Sequence, residues 1–251
     1  MDTGKQLVTL KGHTGFITSV VFSPDCRRIA TADWNNQEKF SEVRLWDAAA
    51  GAEIHKFPRL PYPVRGLAIS PDGQKLAAGK LVSGELTPEQ LALNPTTVAI
   101  WNTETGERLQ SLVIPSENPT HTPRVPFLAF SPDGTQLAAP DSAGASVFVW
   151  DPVSGKLLFK LAASSDTSCV AYSPDGSRLA AIGFDGNVHL WDAEFGQELL
   201  VLRTLAPPNT HLGFTARVAF SPDGSRILAN SAYGILSVFD AGPDSIGPGP
   251  P

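Results

Sequence analysis

Residues 130–161 read FSPDGTQLAAPDSAGASVFVWDPVSGKLLFKL and hold the recurring phrases of the unit from which this 251-residue chain is built. The opening phrase of this unit returns as FSPD at 22–25, ISPDG at 69–73, YSPDG at 172–176 and FSPDG at 220–224. The distances between copies bracket the period of about 40 to 45 residues that is typical of a four-stranded repeat unit, and insertions account for the longer ones. Five copies predict a repeat architecture in which each repeat is one small sheet.

A second phrase follows each of these turns and consists of an apolar residue, an aromatic residue and Asp or Asn. The aromatic residues are Trp46, Trp101, Trp150, Trp191 and, in the last copy, Phe239; the residues after them are Asp47, Asn102, Asp151, Asp192 and Asp240. A large flat ring buries much area. We therefore expect these rings to fill the layers between neighbouring sheets.

The SPDG phrase predicts a tight turn between two short strands. Pro presets φ, the Asp side chain caps the turn, and Gly adopts a positive φ. Apolar residues alternate ahead of each turn, as at Val218 and Phe220, and four of the five copies place Ala between them. Strands that are apolar on both faces are usually buried on both, so we expect the first strand of each repeat to be buried.

Together, these phrases resemble the WD40-repeat family from about Gly4 to Asp240. The resemblance implies an all-β fold, a β-propeller of five four-stranded antiparallel blades with SPDG turns of the bacterial type. The repeats run roughly over residues 11–57, 58–113, 114–161, 162–203 and 204–240. It also implies that the Trp-Asp pairs are structural, and that His13 and Asp185 match members of the family's structural hydrogen-bond network. Because His13 and Asp185 fall in different repeats, the sequence does not support assigning the complete network to any one blade.

Residues 4–10 read as a loose outer strand, which we expect to complete the last blade and close the ring within a domain spanning residues 1–241. The alternative is that the five repeats are a fragment of a larger propeller. Residues 242–251, GPDSIGPGPP, predict a disordered Gly/Pro tail. The largest insertion contains TPEQ at 87–90, which predicts a short helix through residue 93.

Charge and cysteine content exclude several classes of partner and compartment. The formal net charge is −6 and basic residues do not cluster, which argues against nucleic acid and anionic membranes as partners. Cys26 and Cys169 are far apart, and no apolar run follows the N-terminus. We therefore expect neither disulfide-stapled export nor membrane insertion, and predict a cytoplasmic protein.

The residues predicted to bind a partner lie where the chain enters the inner strands and in the long loop of the first repeat. They include the aromatic and arginine side chains that interfaces favour. The alternative is that most of them are ordinary surface. The predicted set is Phe16, Thr18, Trp34, Tyr62, Arg65, Arg124, Phe214 and Arg217.

No phrase typical of a catalytic site occurs, neither GxGxxG, P-loop, HExxH nor GxSxG. The five histidines are scattered over different repeats, so we expect no metal site and no cofactor. The sequence predicts a non-catalytic scaffold that binds proteins or peptides through loop faces. Two alternatives stay open: a regulatory or sensory module of a larger kinase or ATPase protein, and a propeller hydrolase or periplasmic binder.

Overall fold

The computed structural model describes residues 4–81, 97–115, 123–204, 216–230 and 236–241. The predicted helix at 87–93, Phe214 and the predicted tail at 242–251 lie outside these ranges. The described residues form nineteen β-strands and no helix, so the prediction of an all-β fold is confirmed. A helix long and apolar enough to cross a membrane is accordingly not found among them.

The strands form five antiparallel sheets, one for each repeat, and each sheet is called a blade below. Blade 1 contains β1 (Phe16–Phe22), β2 (Arg28–Trp34), β3 (Val43–Asp47) and β4 (Glu53–Lys56), and blade 2 contains β5 (Val64–Ile69), β6 (Lys75–Lys80), β7 (Val98–Asn102) and β8 (Arg108–Leu112). Blade 3 contains β9 (Ala129–Phe130), β10 (Leu137–Asp141), β11 (Ser146–Trp150) and β12 (Leu157–Ala162), and blade 4 contains β13 (Thr167–Tyr172), β14 (Arg178–Gly183), β15 (Asn187–Asp192) and β16 (Glu198–Arg203). Blade 5 contains β17 (Val218–Phe220), β18 (Arg226–Asn230) and β19 (Leu236–Asp240). In every blade the strands follow chain order across the sheet.

The SPDG turn joins the first two strands of each blade. In blade 4, Ser173 Oγ donates to Asp175 Oδ1 at 2.5 Å, and the N–H of Gly176 donates to the Ser173 carbonyl at 2.9 Å. Gly176 has a φ of 75°, and Cys26 takes its place in blade 1 with a φ of 58°. This left-handed conformation suits Gly and strains a residue with a Cβ. The phrase therefore specifies the hairpin locally, as its residues predict.

Apolar residues fill a layer between each pair of successive blades. Trp101 lies in the layer between blades 1 and 2, Trp150 in the next and Trp191 in the one after that. Phe239 packs into the layer between blades 4 and 5. Each ring packs against the preceding blade, as in blade 2, where the centroids of Phe57 and Trp101 are 5.1 Å apart.

The first strand of blade 1 is exposed, unlike its counterparts. Val20 and Phe22 are each 57% exposed, whereas Leu67 and Ile69 at the equivalent positions of β5 are each 8% exposed. These side chains point toward the preceding blade, and among the described residues no blade precedes blade 1. The prediction of a buried first strand is therefore wrong for β1, because a neighbouring blade provides the burial and the composition of the strand does not.

Residues 4–10 form no strand, and among the described residues β19 pairs only with β18. A Cβ added to Gly51 would lie 2.2 Å from Val8 Cγ2, so this segment runs against the β3–β4 turn of blade 1. Closure of the ring by residues 4–10 is not seen in the described part of the chain and stays a prediction.

Candidate functional site

A chain of buried polar side chains crosses blade 1. Trp46 Nε1 on β3 donates to Thr31 Oγ1 on β2 at 2.8 Å, and His13 Nε2 lies 2.6 Å from the same hydroxyl oxygen. His13 Nδ1 lies 3.0 Å from Asp33 Oδ2. The network that the sequence did not assign to any blade is thus present in blade 1. A long loop follows Asp33 and lengthens its spacing to Trp46, which hid the pairing in the sequence.

Asp33 is fully buried and also orders the backbone around it. Its Oδ2 accepts from the N–H groups of Thr14 at 3.2 Å and Gly15 at 3.0 Å, and its Oδ1 accepts from the N–H of Glu42 at 2.8 Å. A buried carboxylate needs such donors to offset its lost hydration. Asp33 therefore fixes both ends of the loop that carries Trp34.

The protonation state of His13 follows from its surroundings. Burial lowers the pKa of its imidazole below the ordinary value of 6.5, although the Asp33 carboxylate acts in the opposite direction. Because Trp46 donates to the Thr31 oxygen, the Thr31 hydroxyl hydrogen is available to the unprotonated Nε2 of a neutral His13. Nδ1 then carries the ring hydrogen and lies 3.0 Å from Asp33 Oδ2, so neutral imidazole lies between Thr31 and Asp33.

A second network surrounds Glu42, the buried residue directly before β3. Its carboxylate oxygens lie 2.6 Å from Arg44 Nη2, 2.8 Å from Lys56 Nζ and 3.2 Å from Arg59 Nε. Burial alone raises the pKa of Glu42, but the hydrogen bonds and charges of Lys56 and Arg44 outweigh it and bring the pKa to about 2. Arg44 Nη2 also donates to the Gly12 carbonyl at 2.7 Å, which ties the segment before His13 to β3.

His13, Asp33 and Glu42 are the group of potential metal ligands that the described residues bring together, with candidate atoms within 4.8 Å of one another. Each of them already has protein partners, and the cations Arg44 and Lys56 at Glu42 repel a metal ion. The cluster therefore fits a structural role better than a metal centre.

Two residues of the predicted binding set lie side by side. Phe16 on β1 pairs directly with Trp34 on β2. Phe16 is 78% exposed and Trp34 is partly buried. Side chains on directly paired residues have Cβ atoms about 4.5 to 5.5 Å apart, so these two aromatic residues are neighbours on one face of the strand pair.

Arg65 lies at the adjoining junction between blades 1 and 2. Thr18 Oγ1 donates to the carbonyl of Val64 at 2.6 Å and holds β1 against β5. Arg65 directly follows Val64 and is exposed. Phe16, Trp34 and Arg65 are called the aromatic–arginine patch below, and Thr18 supports this patch through the blade junction.

Two other residues of the predicted binding set, Tyr62 and Arg124, make contacts within the fold. Tyr62 is 5% exposed and belongs to the layer between blades 1 and 2, with Lys80 Nζ 5.1 Å from its ring centroid. Burial therefore removes Tyr62 from the binding surface predicted for it. The N–H of Arg124 donates to Asp141 Oδ1 at 3.1 Å, and its carbonyl accepts from the N–H of Ser142 at 2.8 Å.

Arg217 on blade 5 stacks on an aromatic ring of blade 3. Its guanidinium carbon lies 3.9 Å from the ring centroid of Phe127, a distance typical of a cation–π contact. Sequence reasoning missed Phe127, because it lies outside the alternating apolar pattern of the strand. The presence of this extra aromatic residue was the only feature of the sequence that could have indicated the contact with Arg217.

The Asp or Asn after each Trp caps the turn to the next strand. Asp151 Oδ1 accepts from the N–H of Val153 at 2.8 Å, and Oδ2 accepts from Ser154 Oγ at 2.6 Å. The Ser154 hydrogen bond lowers the pKa of Asp151. Equivalent bonds form at Asp47, Asn102 and Asp192, whereas Asp240 ends the last described strand.

Asp185, the other acidic residue matched to the family pattern, belongs to a different arrangement in blade 4. Its Oδ2 accepts from Ser164 Oγ at 2.6 Å, and the N–H of Ser164 donates to His189 Nε2 at 3.0 Å. His189 stacks on Trp191, with ring centroids 5.5 Å apart. Blade 4 thus orders its loop with a histidine from β15.

Comparisons with known proteins place this architecture among its relatives. The sequence profile described as "WD domain, G-beta repeat" matches residues 4–37, 114–151 and 155–192. An uncharacterized WD repeat-containing protein of Synechocystis is 29% identical over 177 residues, which cover 69% of this chain and 44% of that protein.

Two plant proteins give similar matches. Periodic tryptophan protein 2 of Arabidopsis thaliana is 28% identical over 193 residues, which cover 76% of this chain and 19% of that protein. A guanine nucleotide-binding protein subunit beta of Arabidopsis thaliana is 27% identical over 189 residues, which cover 72% of this chain and 44% of that protein. The chain thus spans less than half the length of each of these relatives.

Proposed function

This chain belongs to the WD40-repeat family, and we propose that it is a non-catalytic protein–protein interaction scaffold whose aromatic–arginine patch binds a peptide segment of a protein partner. The observation that carries the proposal is the direct pairing of Phe16 with Trp34, which leaves Phe16 78% exposed. A large apolar ring held in water on a rigid strand pair is a typical anchor of an interface.

The support beneath the patch favours a preorganised binding surface. A Cβ on Gly15 would lie 2.4 Å from the backbone of Trp34, so Gly15 permits the close approach of the two segments. Asp33 binds the Gly15 N–H and fixes the turn before Phe16. A surface that is ordered before binding loses little conformational entropy on binding.

The chemistry of the patch favours a particular kind of segment. Phe16 and Trp34 offer apolar and stacking area, and Arg65 offers a charged donor beside them. A peptide that combines an apolar or aromatic anchor with a nearby carboxylate complements both features. The net charge of −6 disfavours a nucleic acid at the same surface.

The relatives add general support. One of them is named as a subunit, and the others are named for their repeats or tryptophans, none for a reaction. A regulatory module within a larger signalling protein is a narrower form of the same proposal, with a neighbouring domain as the bound partner. The free thiols of Cys26 and Cys169 fit the cytoplasmic location that we propose with it.

The test is a selection of displayed random peptides on the purified chain, followed by affinity measurements with variants. We expect Phe16→Ala and Arg65→Ala each to weaken the selected peptides by about tenfold or more, as hot-spot residues do. Phe195→Ala is the matched control, because Phe195 is 69% exposed on the turn after β15. Peptides that bind all three variants equally well would show that the patch is not the binding site.

A further inference from the structure

Blade 4 carries a serine, a histidine and a glutamate that are joined in one chain of contacts. Ser164 Oγ lies 2.8 Å from His189 Nε2, and His189 Nδ1 lies 2.6 Å from Glu198 Oε1. A nucleophile, a base and a group that orients the base follow one another in this order in serine-based acyl transfer. We propose that Ser164 is a covalent modification site, which takes a small neutral acyl group from an activated ester with His189 as its base.

Two neighbouring strands place the histidine and the glutamate. His189 lies on β15, and Glu198 begins β16, where it pairs with Trp191. Residues 189 and 191 are two positions apart on one strand and therefore point to the same face. The imidazole stacks on the Trp191 ring, with centroids 5.5 Å apart and planes inclined by 14°. Ser164 lies in the connection between β12 and β13, so the stacked imidazole stands between the serine and the carboxylate.

The hydrogen bonds of His189 fix its tautomer. The backbone N–H of Ser164 donates to His189 Nε2 at 3.0 Å. An N–H group can only donate, so Nε2 is the unprotonated nitrogen, and the ring hydrogen is on Nδ1, where it faces the Glu198 carboxylate. His189 therefore presents a basic nitrogen to Ser164 Oγ, which is the state that a general base requires.

Asp185 is a second acceptor for the Ser164 hydroxyl. Its Oδ2 lies 2.6 Å from Ser164 Oγ. Burial alone raises the pKa of Asp185, but hydrogen bonds from Ser164, Asn187 and Ser165 outweigh it and lower the pKa below the ordinary value. Imidazole is a stronger base than such a carboxylate, so the proton that leaves Oγ passes to His189. Asp185 holds Oγ in place beside Nε2.

Ser164 is accessible to a reagent, unlike the hydroxyl of the similar chain in blade 1. Ser164 is exposed, whereas its base His189 is only 5% exposed. In blade 1 the hydroxyl that meets His13 belongs to Thr31, which is 5% exposed and already accepts from Trp46 Nε1. Nucleophilic chemistry is therefore open to the chain of blade 4, and the chain of blade 1 is structural.

The acylation step balances with the groups of this site and the acyl donor. Ser164 Oγ attacks the acyl carbon of the ester and forms a new C–O bond, while the hydroxyl proton passes to His189 Nε2. The bond between the acyl carbon and the leaving oxygen then breaks, and Nε2 passes the proton to that oxygen. The products are acylated Ser164, neutral His189 and the free alcohol or phenol of the donor.

The surroundings of Ser164 favour a neutral donor and a lasting product. The carboxylates of Asp185 and Glu198 repel an anionic donor. After acylation, Ser164 has no hydroxyl hydrogen to offer to His189 Nε2, and its own N–H remains the donor there at 3.0 Å. A water molecule has to displace this N–H before the imidazole can activate it, so we expect the ester to persist as a modification.

The experiment treats the purified chain with p-nitrophenyl acetate and follows the release of p-nitrophenol. Peptide mass spectrometry then locates the acetyl group. We expect release of one equivalent per chain and an acetyl group on Ser164. Ser154 is the matched internal control, because it is also exposed and its Oγ also donates to an aspartate, Asp151, at 2.6 Å, but among the described residues its hydroxyl meets no imidazole.

Variants assign the roles of the three residues. Ser164→Ala is expected to abolish the acetylation, whereas Ser154→Ala is expected to react like wild type. His189→Gln is expected to slow acetylation of Ser164 by about a hundredfold or more, as the loss of a general base does. Glu198 positions the base, so Glu198→Gln is expected to slow it by about tenfold or more. Glu198→Asp keeps the charge and is expected to restore part of the rate.

Circular dichroism reports whether each variant folds, and Glu198, with a side chain 47% exposed, offers a test that leaves the buried His189 unchanged. The proposal is overturned if folded wild type acquires an acetyl group on Ser164 no faster than on Ser154, or if folded His189→Gln reacts at the wild-type rate. Continued release of p-nitrophenol beyond one equivalent would mean turnover and would overturn the assignment of a modification site. The site lies on blade 4, apart from the aromatic–arginine patch, so neither result affects the proposed peptide binding.

Discussion

His13 and Asp33 meet at 3.0 Å between Nδ1 and Oδ2 inside blade 1, and the neutral imidazole links the buried carboxylate to Thr31 and Trp46. These contacts connect the segment before β1 with β2 and β3. The aromatic–arginine patch adjoins this connection. Phe16 directly follows Gly15, whose N–H binds Asp33, and Trp34 directly follows Asp33. Changes in the network should therefore affect stability first and the patch second.

Thr31→Val is expected to destabilise the chain by about 2 kcal/mol or more, since it leaves two buried polar groups, Trp46 Nε1 and His13 Nε2, without their partner. The measurement is urea unfolding followed by tryptophan fluorescence. Thr105→Val is the control, because Thr105 lies exposed in the turn after β7, and its loss is expected to stay within about 0.5 kcal/mol. Equal losses for the two variants would contradict a role for the Thr31 hydroxyl.

The stability of blade 1 is expected to fall as His13 becomes protonated. Burial lowers the pKa of His13 in the folded chain, whereas the unfolded chain has the ordinary value of 6.5. The contribution is therefore fully present above pH 6.5 and is lost as the pH falls toward the lower, folded value. Unfolding midpoints of wild type and His13→Gln should differ most near pH 7.5 and converge as the pH falls below 6.5. A constant difference over this range would contradict the neutral state of His13.

Glu42→Gln is expected to destabilise the chain by about 3 kcal/mol, because Arg44 is itself 7% exposed and loses the charge that offsets its burial. The pKa of Glu42 is about 2, below its ordinary value of 4.5, so its stabilising effect is present above pH 4.5 and is lost as the pH falls toward 2. Acid unfolding of wild type and variant should therefore converge at low pH.

Glu38→Gln is the matched control for Glu42. Glu38 lies 3.5 Å from Arg59, but both side chains are more than half exposed, and exposed ion pairs contribute little. A loss of stability for Glu38→Gln as large as for Glu42→Gln would show that burial of the carboxylate is not the cause.

Cys26→Gly is expected to stabilise the chain by up to about 1 kcal/mol, because Cys26 has a φ of 58° where the other four turns have Gly. The reverse change, Gly176→Ala, is expected to destabilise by a similar amount, since Gly176 has a φ of 75°. Thermal unfolding in the presence of a reductant measures both. A neutral or destabilising Cys26→Gly would mean that Cys26 makes contacts that offset its backbone strain.

The conformation of the turns could be predicted from the sequence, whereas contacts between residues that are distant along the chain could not. The SPDG turns fold as their residues predict, since a turn depends on its own few side chains. Asp33 was missed as the partner of His13, because the loop that follows it changes its spacing to Trp46. Tyr62 was expected on the surface, but the layer between blades 1 and 2 buries it.

The sequence by itself determined that five repeats form five antiparallel blades, with Trp101, Trp150 and Trp191 in the layers between them, because periodicity and turn residues act within each repeat. The tertiary structure alone decided which apolar strands are buried. Val20 in β1 and Val170 in β13 stand at equivalent positions ahead of the same turn, yet Val20 is 57% exposed and Val170 is 5% exposed. The physical reason is that a side chain on the face of one blade is buried only when a second blade packs against it. The sequence of one repeat specifies only its own blade.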